Sequence, residues 1–165
     1  LVDGDANKSA LKWAEAGNLP FRVVDDRSAA KHIRQFENIV IDTSARPSRD
    51  DLRALADGCD LLIIPATPDA LSLNALLLTV EELRAIQADS FRVLLAIIPP
   101  FPSRAGDEAR EAIKEAGLPV FDGQIRRFVA FQKAALAGRI VDQVSDPHAA
   151  DGWMDYETVG GELTQ

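Results

Sequence analysis

The sequence predicts an α/β protein in which helices cover both faces of a mostly parallel β-sheet, as a three-layer α/β/α sandwich. Short apolar runs rich in β-branched residues alternate with helical patterns along the whole chain. The runs are nearly continuous in apolar residues, which is typical of parallel strands buried on both faces. Strand–helix–strand repetition of this kind builds right-handed crossovers over one sheet. A length of 165 residues fits one domain, which we expect to span residues 1–165.

The chain opens in a strand that ends in the acidic pair Asp3 and Asp5. Further strands are predicted at residues 21–24, 39–41, 61–64 and 93–98, and a shorter one begins at residue 119. These segments are rich in valine, isoleucine, leucine and phenylalanine, which fit a pleated, buried surface. Proline-containing loops follow the strands at 61–64 and 93–98, and proline cannot donate a ladder hydrogen bond.

Helices are predicted at residues 9–16, 48–57, 71–86, 107–116 and 128–137, with a last helix that starts at Ser145 or Asp146. Ser48 is expected to cap the second helix, because a serine oxygen can accept a free N–H of the first turn. Three helices are expected to end at glycines, Gly17, Gly117 and Gly138. Glycine adopts without strain the left-handed backbone conformation that commonly ends a helix. In the last helix we expect four side chains to face the core, those of Ala149, Trp153, Tyr156 and Leu163.

Composition limits the class of protein. The net charge is −8 and the sequence pI about 4.7, which argues against nucleic-acid binding over the whole surface. The only local reversal of this acidic charge balance is a basic stretch formed by Arg126, Arg127, Lys133 and Arg139. Cys59 is the single cysteine, so no internal disulfide forms, and this fits a reducing, cytoplasmic location. No apolar run approaches the roughly 20 residues that span a bilayer.

Three carboxylates follow the ends of predicted strands. Asp3 and Asp5 close the first strand, and Asp42 closes the predicted strand at residues 39–41. Because the C-terminal ends of parallel strands meet at one sheet edge, we expect these carboxylates to converge there. Such a cluster would hold a hydrated divalent cation with a phosphate behind it, and Gly4 would let the ligand approach the backbone. An acidic turn at Asp3 and Asp5, and a turn cap at Asp42, remain as alternatives.

A phosphate-binding loop is missing from the sequence, since no glycine-rich segment ends in Lys-Ser or Lys-Thr. The chain begins at Leu1, inside a predicted strand. We therefore expect a nucleotide-hydrolase domain that is incomplete at its N-terminus.

Taken together, these motifs resemble the ParA/MinD-type deviant Walker ATPases, and ParA-like partition proteins in particular. Residues 1–9 are similar to the strand and Asp-x-Asp-Pro-Gln-x-Ser motif of that family, with Ala6 and Asn7 as departures. Residues 39–47 resemble its Walker B strand, and residues 63–73 resemble the strand and loop that follow. The tail from Ile125 to Tyr156 also follows the closing pattern of the family.

The resemblance implies an ATPase that acts as a nucleotide-dependent dimerisation switch in plasmid or chromosome partition, or in positioning another cargo. It implies ATP and Mg²⁺ as cofactors, with Asp5 orienting the attacking water, Asp42 holding Mg²⁺ through a water and Asp3 supporting the same shell. The base of the nucleotide would lie near Pro99 and Arg126, although Pro99-Pro100 departs from the usual loop. The implied partners are a second copy of the chain, a partition adaptor protein and DNA bound without sequence preference.

The full-length parent is therefore expected to be an ATPase, whereas the 165-residue chain alone is expected to be inactive because it lacks the phosphate loop. Two alternatives remain open at this stage. One is a degenerate, nucleotide-free interaction module that keeps the fold. The other is a related enzyme domain of the dethiobiotin-synthetase or cobyrinate-synthase type.

Overall fold

The computed structural model describes residues 1–44 and 47–163, so Ala45 and Arg46 of the Walker B-like segment lie outside the described residues. All strand pairs among the described residues are parallel, and helices separate the strands along the chain, which confirms the predicted α/β class. The chain divides into two compact units. The first unit comprises Leu1–Pro47 and Val129–Ala149, and the second comprises Ser48–Phe128 and Ala150–Gln165.

The first unit is built on a short three-stranded sheet. Its strands are β1 (Val2–Asp3), β2 (Val24–Asp25) and β3 (Ile41–Asp42), in the order β2-β1-β3. The predicted strand at 21–24 is thus wrong in its bounds, because regular pairing begins only at Val24, whose N–H reaches the carbonyl of Leu1 at 3.0 Å. After β2 the chain enters two 3₁₀ turns, Asp26–Lys31 and Ile33–Gln35.

Two helices complete the first unit, α1 (Ser9–Ala14) and, later in the chain, α5 (Val129–Ala137). The indole Nε1 of Trp13 donates to the carbonyl of Ala134 at 3.4 Å, which joins the two helices. Gly138 ends α5 with a φ of +60°, as predicted, and a Cβ there would lie 2.2 Å from the Cβ of Ala16. Glycine is therefore required at position 138 both by the backbone and by the neighbouring helix.

The second unit is built on β4 (Leu62–Ala66) and β5 (Phe91–Leu95), which pair in parallel along their whole length. The predicted strand at 93–98 begins earlier and ends at Leu95, and the one expected from 119 is reduced to a bridge between Val93 and Val120. A second parallel bridge joins Ile98 to Arg126. The largest fully buried hydrophobic side chains belong to this unit: Phe121, Leu83, Leu95, Val80 and Val93.

The remaining helices are α2 (Arg49–Gly58), α3 (Ala70–Ala85), α4 (Ala105–Glu115) and α6 (Ala149–Leu163). Ser48 caps α2 as predicted, in a reciprocal capping box with Asp51. The last helix starts at Ala149, not at Ser145 or Asp146, because the Asp146 carboxylate accepts the N–H of His148 at 3.0 Å and so forms a turn.

The inward face of α6 also differs from the prediction. Ala149 is buried as expected, but Tyr156 and Leu163 are 49% and 48% exposed. Val159 and the carboxylate of Asp155 are buried instead. In residues 1–44 and 47–163, no helix is both long and apolar enough to cross a bilayer.

Candidate functional site

The parallel register of the first unit brings the ends of β1 and β3 side by side. Asp3 pairs directly with Asp42, and Asp5 follows two residues later in the turn after β1. Asp3 also lies opposite Asp25 of β2. The three carboxylates singled out in the sequence, Asp3, Asp5 and Asp42, therefore belong to one sheet edge, where an open parallel sheet presents its ligand-binding loops.

Asp3 is fully buried, and its carboxylate organises the turn around it. One oxygen accepts the backbone N–H of Asp5 at 3.2 Å, and the other accepts that of Leu11 at 2.9 Å. A buried carboxylate is costly unless such donors satisfy it. Asp3 thus fixes the turn that carries Asp5 to the first turn of α1, which makes it a positioning group at this edge.

Lys8 is a residue of this edge that sequence reasoning missed. Its backbone is left-handed, with a φ of 50°, and its Nζ donates to the carbonyl of Asp3 at 2.9 Å. The same ammonium lies 3.0 Å from Asp26 and 3.3 Å from Asp25, and hydrogen bonding to Asp26 raises the pKa of Lys8. The available signal was a lysine next to an acidic motif, but its partners at residues 25 and 26 follow only from the pairing of β1 with β2.

Gly4 brings β1 and β3 into close contact. Its N–H donates to the carbonyl of Asp42 at 2.8 Å, and an added Cβ would lie only 2.8 Å from that same oxygen. The close approach predicted for Gly4 is therefore made to the backbone of the neighbouring strand. Any larger residue would push Asp42 away from the turn that carries Asp5.

Asp42 carries the electrostatic signature of the edge. Asp42 is exposed overall, but its carboxyl group is partly buried. This partial burial is the main cause that raises the pKa of Asp42 above its ordinary value, and the negative charges of Asp3 and Asp5 raise it further. A neighbouring cation would relieve this repulsion.

One exposed carboxylate such as that of Asp42 fits Mg²⁺, which keeps several waters and uses one or two protein carboxylates. Within residues 1–44 and 47–163, no three acidic, histidine or cysteine side chains form a cage for a bare metal ion.

Pro99 and Arg126, the residues expected near the base of the nucleotide, lie in the second unit. The bridge between Ile98 and Arg126 brings the two loops together. The Arg126 guanidinium is engaged in a bidentate ion pair with Asp155 of α6, with its Nε and terminal nitrogen 3.0 and 2.7 Å from one carboxylate oxygen. It also lies over the ring of Phe128, at 4.9 Å from the centroid.

An open polar cleft of about 460 Å³ borders this ion pair in the second unit. Arg110 in its lining donates to the carbonyl of Phe121 and, at 2.9 Å, to Gln124. Both arginines of the cleft are therefore committed to protein acceptors.

The basic stretch identified in the sequence is partly neutralised. Lys133 forms an ion pair with Asp146 at 2.8 Å, and Arg126 is held by Asp155. Arg127 and Arg139 are exposed. The residues of this stretch fall in different units, Arg126 and Arg127 in the second and the other two in the first.

In a parallel α/β fold, the C-terminal ends of the strands, where these carboxylates lie, are the edge at which ligands bind. The chain is 31% identical, over 170 aligned residues, to the "Maintenance of carboxysome distribution protein A" of Gloeobacter kilaueensis. The alignment covers 99% of this chain and 79% of that protein. No protein-family model matches the chain. The chain belongs to the ParA-like family of positioning proteins that includes this relative.

Proposed function

We propose that the protein is a nucleotide-dependent switch that distributes a cargo, in which Mg²⁺ and ATP control the association of two copies of the chain. The observation that carries the proposal is the register that pairs Asp3 with Asp42 and places Asp5 in the adjoining turn. The name of the relative, which refers to distributing carboxysomes, supports a cargo-positioning role.

Each carboxylate has a distinct part in this proposal. Asp42 is exposed and crowded by negative charge, so it is the group that would hold Mg²⁺ through a water. Asp5 would orient the attacking water, since its carboxylate makes an exposed side-chain hydrogen bond, with Asn7 at 3.2 Å, and stays partly open to solvent. Asp3 has both oxygens committed to backbone N–H groups, those of Asp5 and Leu11, and it positions the turn that carries Asp5.

When bound, Mg²⁺ neutralises charge that develops on phosphate oxygens. Residues 1–165 contain no glycine-rich lysine loop to cradle those phosphates. The test therefore joins the chain to an N-terminal phosphate-loop segment of a ParA-like protein. Mg²⁺-dependent ATP binding is measured by calorimetric titration, ATP turnover by phosphate release, and dimer formation by light scattering.

Three matched substitutions separate the roles. Asp42→Asn is expected to weaken Mg²⁺-dependent ATP binding by about tenfold to a hundredfold, the range for disturbed metal shells. Asp5→Asn is expected to leave binding within about twofold while turnover falls by about a hundredfold or more, the usual effect of losing a positioned base. Asp50→Asn, an exposed carboxylate in the first turn of α2, is the control and should change neither. Equal and small effects of Asp42→Asn and Asp5→Asn would contradict the assigned roles.

A further inference from the structure

A small apolar cleft lies in the first unit, on residues that the carboxylate edge does not use. Its volume is about 90 Å³, much smaller than the roughly 300–1,000 Å³ of drug-sized sites. The apolar walls are formed by large hydrophobic side chains, among them Phe21, Ile33, Phe36 and Ile39. All four stay substantially exposed: Phe21 at 40%, Ile33 at 44%, Phe36 at 46% and Ile39 at 37%. The cleft is therefore of a size for one apolar side chain.

One wall of the cleft is held in place by an aromatic pair. The ring of Phe21 meets that of Trp13 edge to face, with centroids 5.7 Å apart. Trp13 is itself anchored by its hydrogen bond to Ala134. These contacts hold the wall in place through groups of the protein itself, and preformed sites lose less entropy on binding.

His32 adds an unsatisfied polar atom to the lining. Its Nδ1 is buried and has no hydrogen-bond partner among the described residues. Buried polar atoms without a partner are uncommon in native proteins and need an explanation. Because Nδ1 is closed to solvent, a segment bound in the cleft would contact the His32 ring and not this atom.

Four basic side chains lie on or beside the cleft, against one exposed carboxylate on the same segment that is not paired with Lys8, that of Glu37. Arg22 lines the cleft, and Arg27, Lys31 and Arg34 lie exposed on the 3₁₀ turns that form its side. Within the described part of the chain, no ion pair involves these four side chains. The nearby carboxylates of Asp25 and Asp26 are already paired with Lys8.

We propose that this cleft docks an extended, acidic segment of a partner protein, which inserts one leucine or aromatic side chain between Phe21, Ile33 and Phe36. The basic side chains around the cleft, which form its rim, then face the carboxylates of that segment. Charge complementarity selects this occupant, since the rim is positive while the net charge of the chain is −8. A concave apolar cleft suits a protein side chain, whereas a phosphate backbone has no apolar group to place in it.

The test begins with a phage-displayed library of random linear peptides, selected on the full chain at low salt. Enriched peptides are expected to combine aspartate or glutamate with one leucine, phenylalanine or tryptophan. A synthetic peptide of the enriched sequence is then titrated by fluorescence anisotropy. Replacing its apolar residue by alanine should weaken binding by about tenfold or more, the usual effect of losing a buried large side chain.

Charge reversal locates the site. The double substitution Arg22→Glu and Lys31→Glu should weaken binding of the peptide by about tenfold or more and flatten its salt dependence. Arg84→Glu, a single charge reversal on α3 in the second unit, is the control and should leave binding unchanged. A second variant, Ile33→Asp, should also abolish binding, and circular dichroism checks that each variant is folded.

The proposal is overturned if the enriched peptides are neutral or basic, or if Arg84→Glu weakens binding as much as the double substitution. It is also overturned if phosphatidylserine vesicles or duplex DNA bind the rim more tightly than the peptide and displace it. The nuclear magnetic resonance signal of the His32 ring should shift on peptide binding, and an unchanged signal would contradict the assigned cleft.

Discussion

The ion pair between Arg126 and Asp155 gives the sharpest test of the second unit. Asp155 is only 8% exposed, and its carboxylate accepts the backbone N–H of Arg126 at 2.9 Å as well as the guanidinium at 2.7 to 3.1 Å. The contact joins α6 to the segment that bridges to Ile98. Asp155→Ala removes every one of these acceptors and leaves a cation and an N–H group without their carboxylate.

The loss of stability expected for Asp155→Ala follows from the burial of the ion pair. Breaking a fully buried pair by removing one partner costs about 3–5 kcal/mol. The Arg126 side chain keeps 38% of its surface exposed, so water recovers part of that cost. We therefore expect the free energy of unfolding to fall by about 2–3 kcal/mol, which lowers Tm by about 4–12 °C in a chain of this size.

Urea unfolding followed by circular dichroism measures this loss, with Glu157→Ala, two residues further along α6 and exposed, as the matched control. The control should change the free energy of unfolding by about 0.5 kcal/mol or less. A double-mutant cycle with Arg126→Ala should give a coupling energy of about 1 kcal/mol or more. The reasoning is refuted if Asp155→Ala and Glu157→Ala unfold at the same urea concentration.

Three further outcomes are expected. Gly4→Ala should lower the free energy of unfolding by about 1–3 kcal/mol, because the added Cβ would lie 2.8 Å from the carbonyl oxygen of Asp42. The control Gly58→Ala, which has open space around the new Cβ, should be neutral or slightly stabilising in thermal unfolding. Ser48→Ala should cost about 1 kcal/mol in the same assay, because α2 loses its cap, and no change would show that the capping box is unimportant. Burial and the neighbouring carboxylates raise the pKa of Asp42 above 3.8, so its contribution to stability is most favourable below that pH and declines as pH rises through the folded pKa. Asp42→Asn should therefore stabilise the chain at neutral pH, but by no more than about 0.5 kcal/mol, because solvent screens the repulsion at an exposed carboxylate. The gain should vanish near pH 3.8, and a loss at neutral pH would contradict this sign.

The sequence by itself determined the α/β class and most helices, because these depend on local patterns. The capping box at Ser48 and the glycine that ends α5 follow from residue type, since caps are made by neighbours along the chain. That Asp3, Asp5 and Asp42 share one sheet edge was also predictable, because the C-terminal ends of parallel strands meet there. Their separate parts were not predictable from spacing.

Tertiary structure decided which partners these groups have. Asp3 is a positioning group because folding brings the N–H of Leu11 to it, and Lys8 belongs to the same edge because β2 lies beside β1. The pairing of Arg126 with Asp155 joins residues 29 positions apart, and no local pattern reports such a contact. Strand bounds at 21–24 and 93–98 were missed for the same reason, since a strand ends where its neighbour stops offering hydrogen bonds, and that neighbour is distant in the sequence.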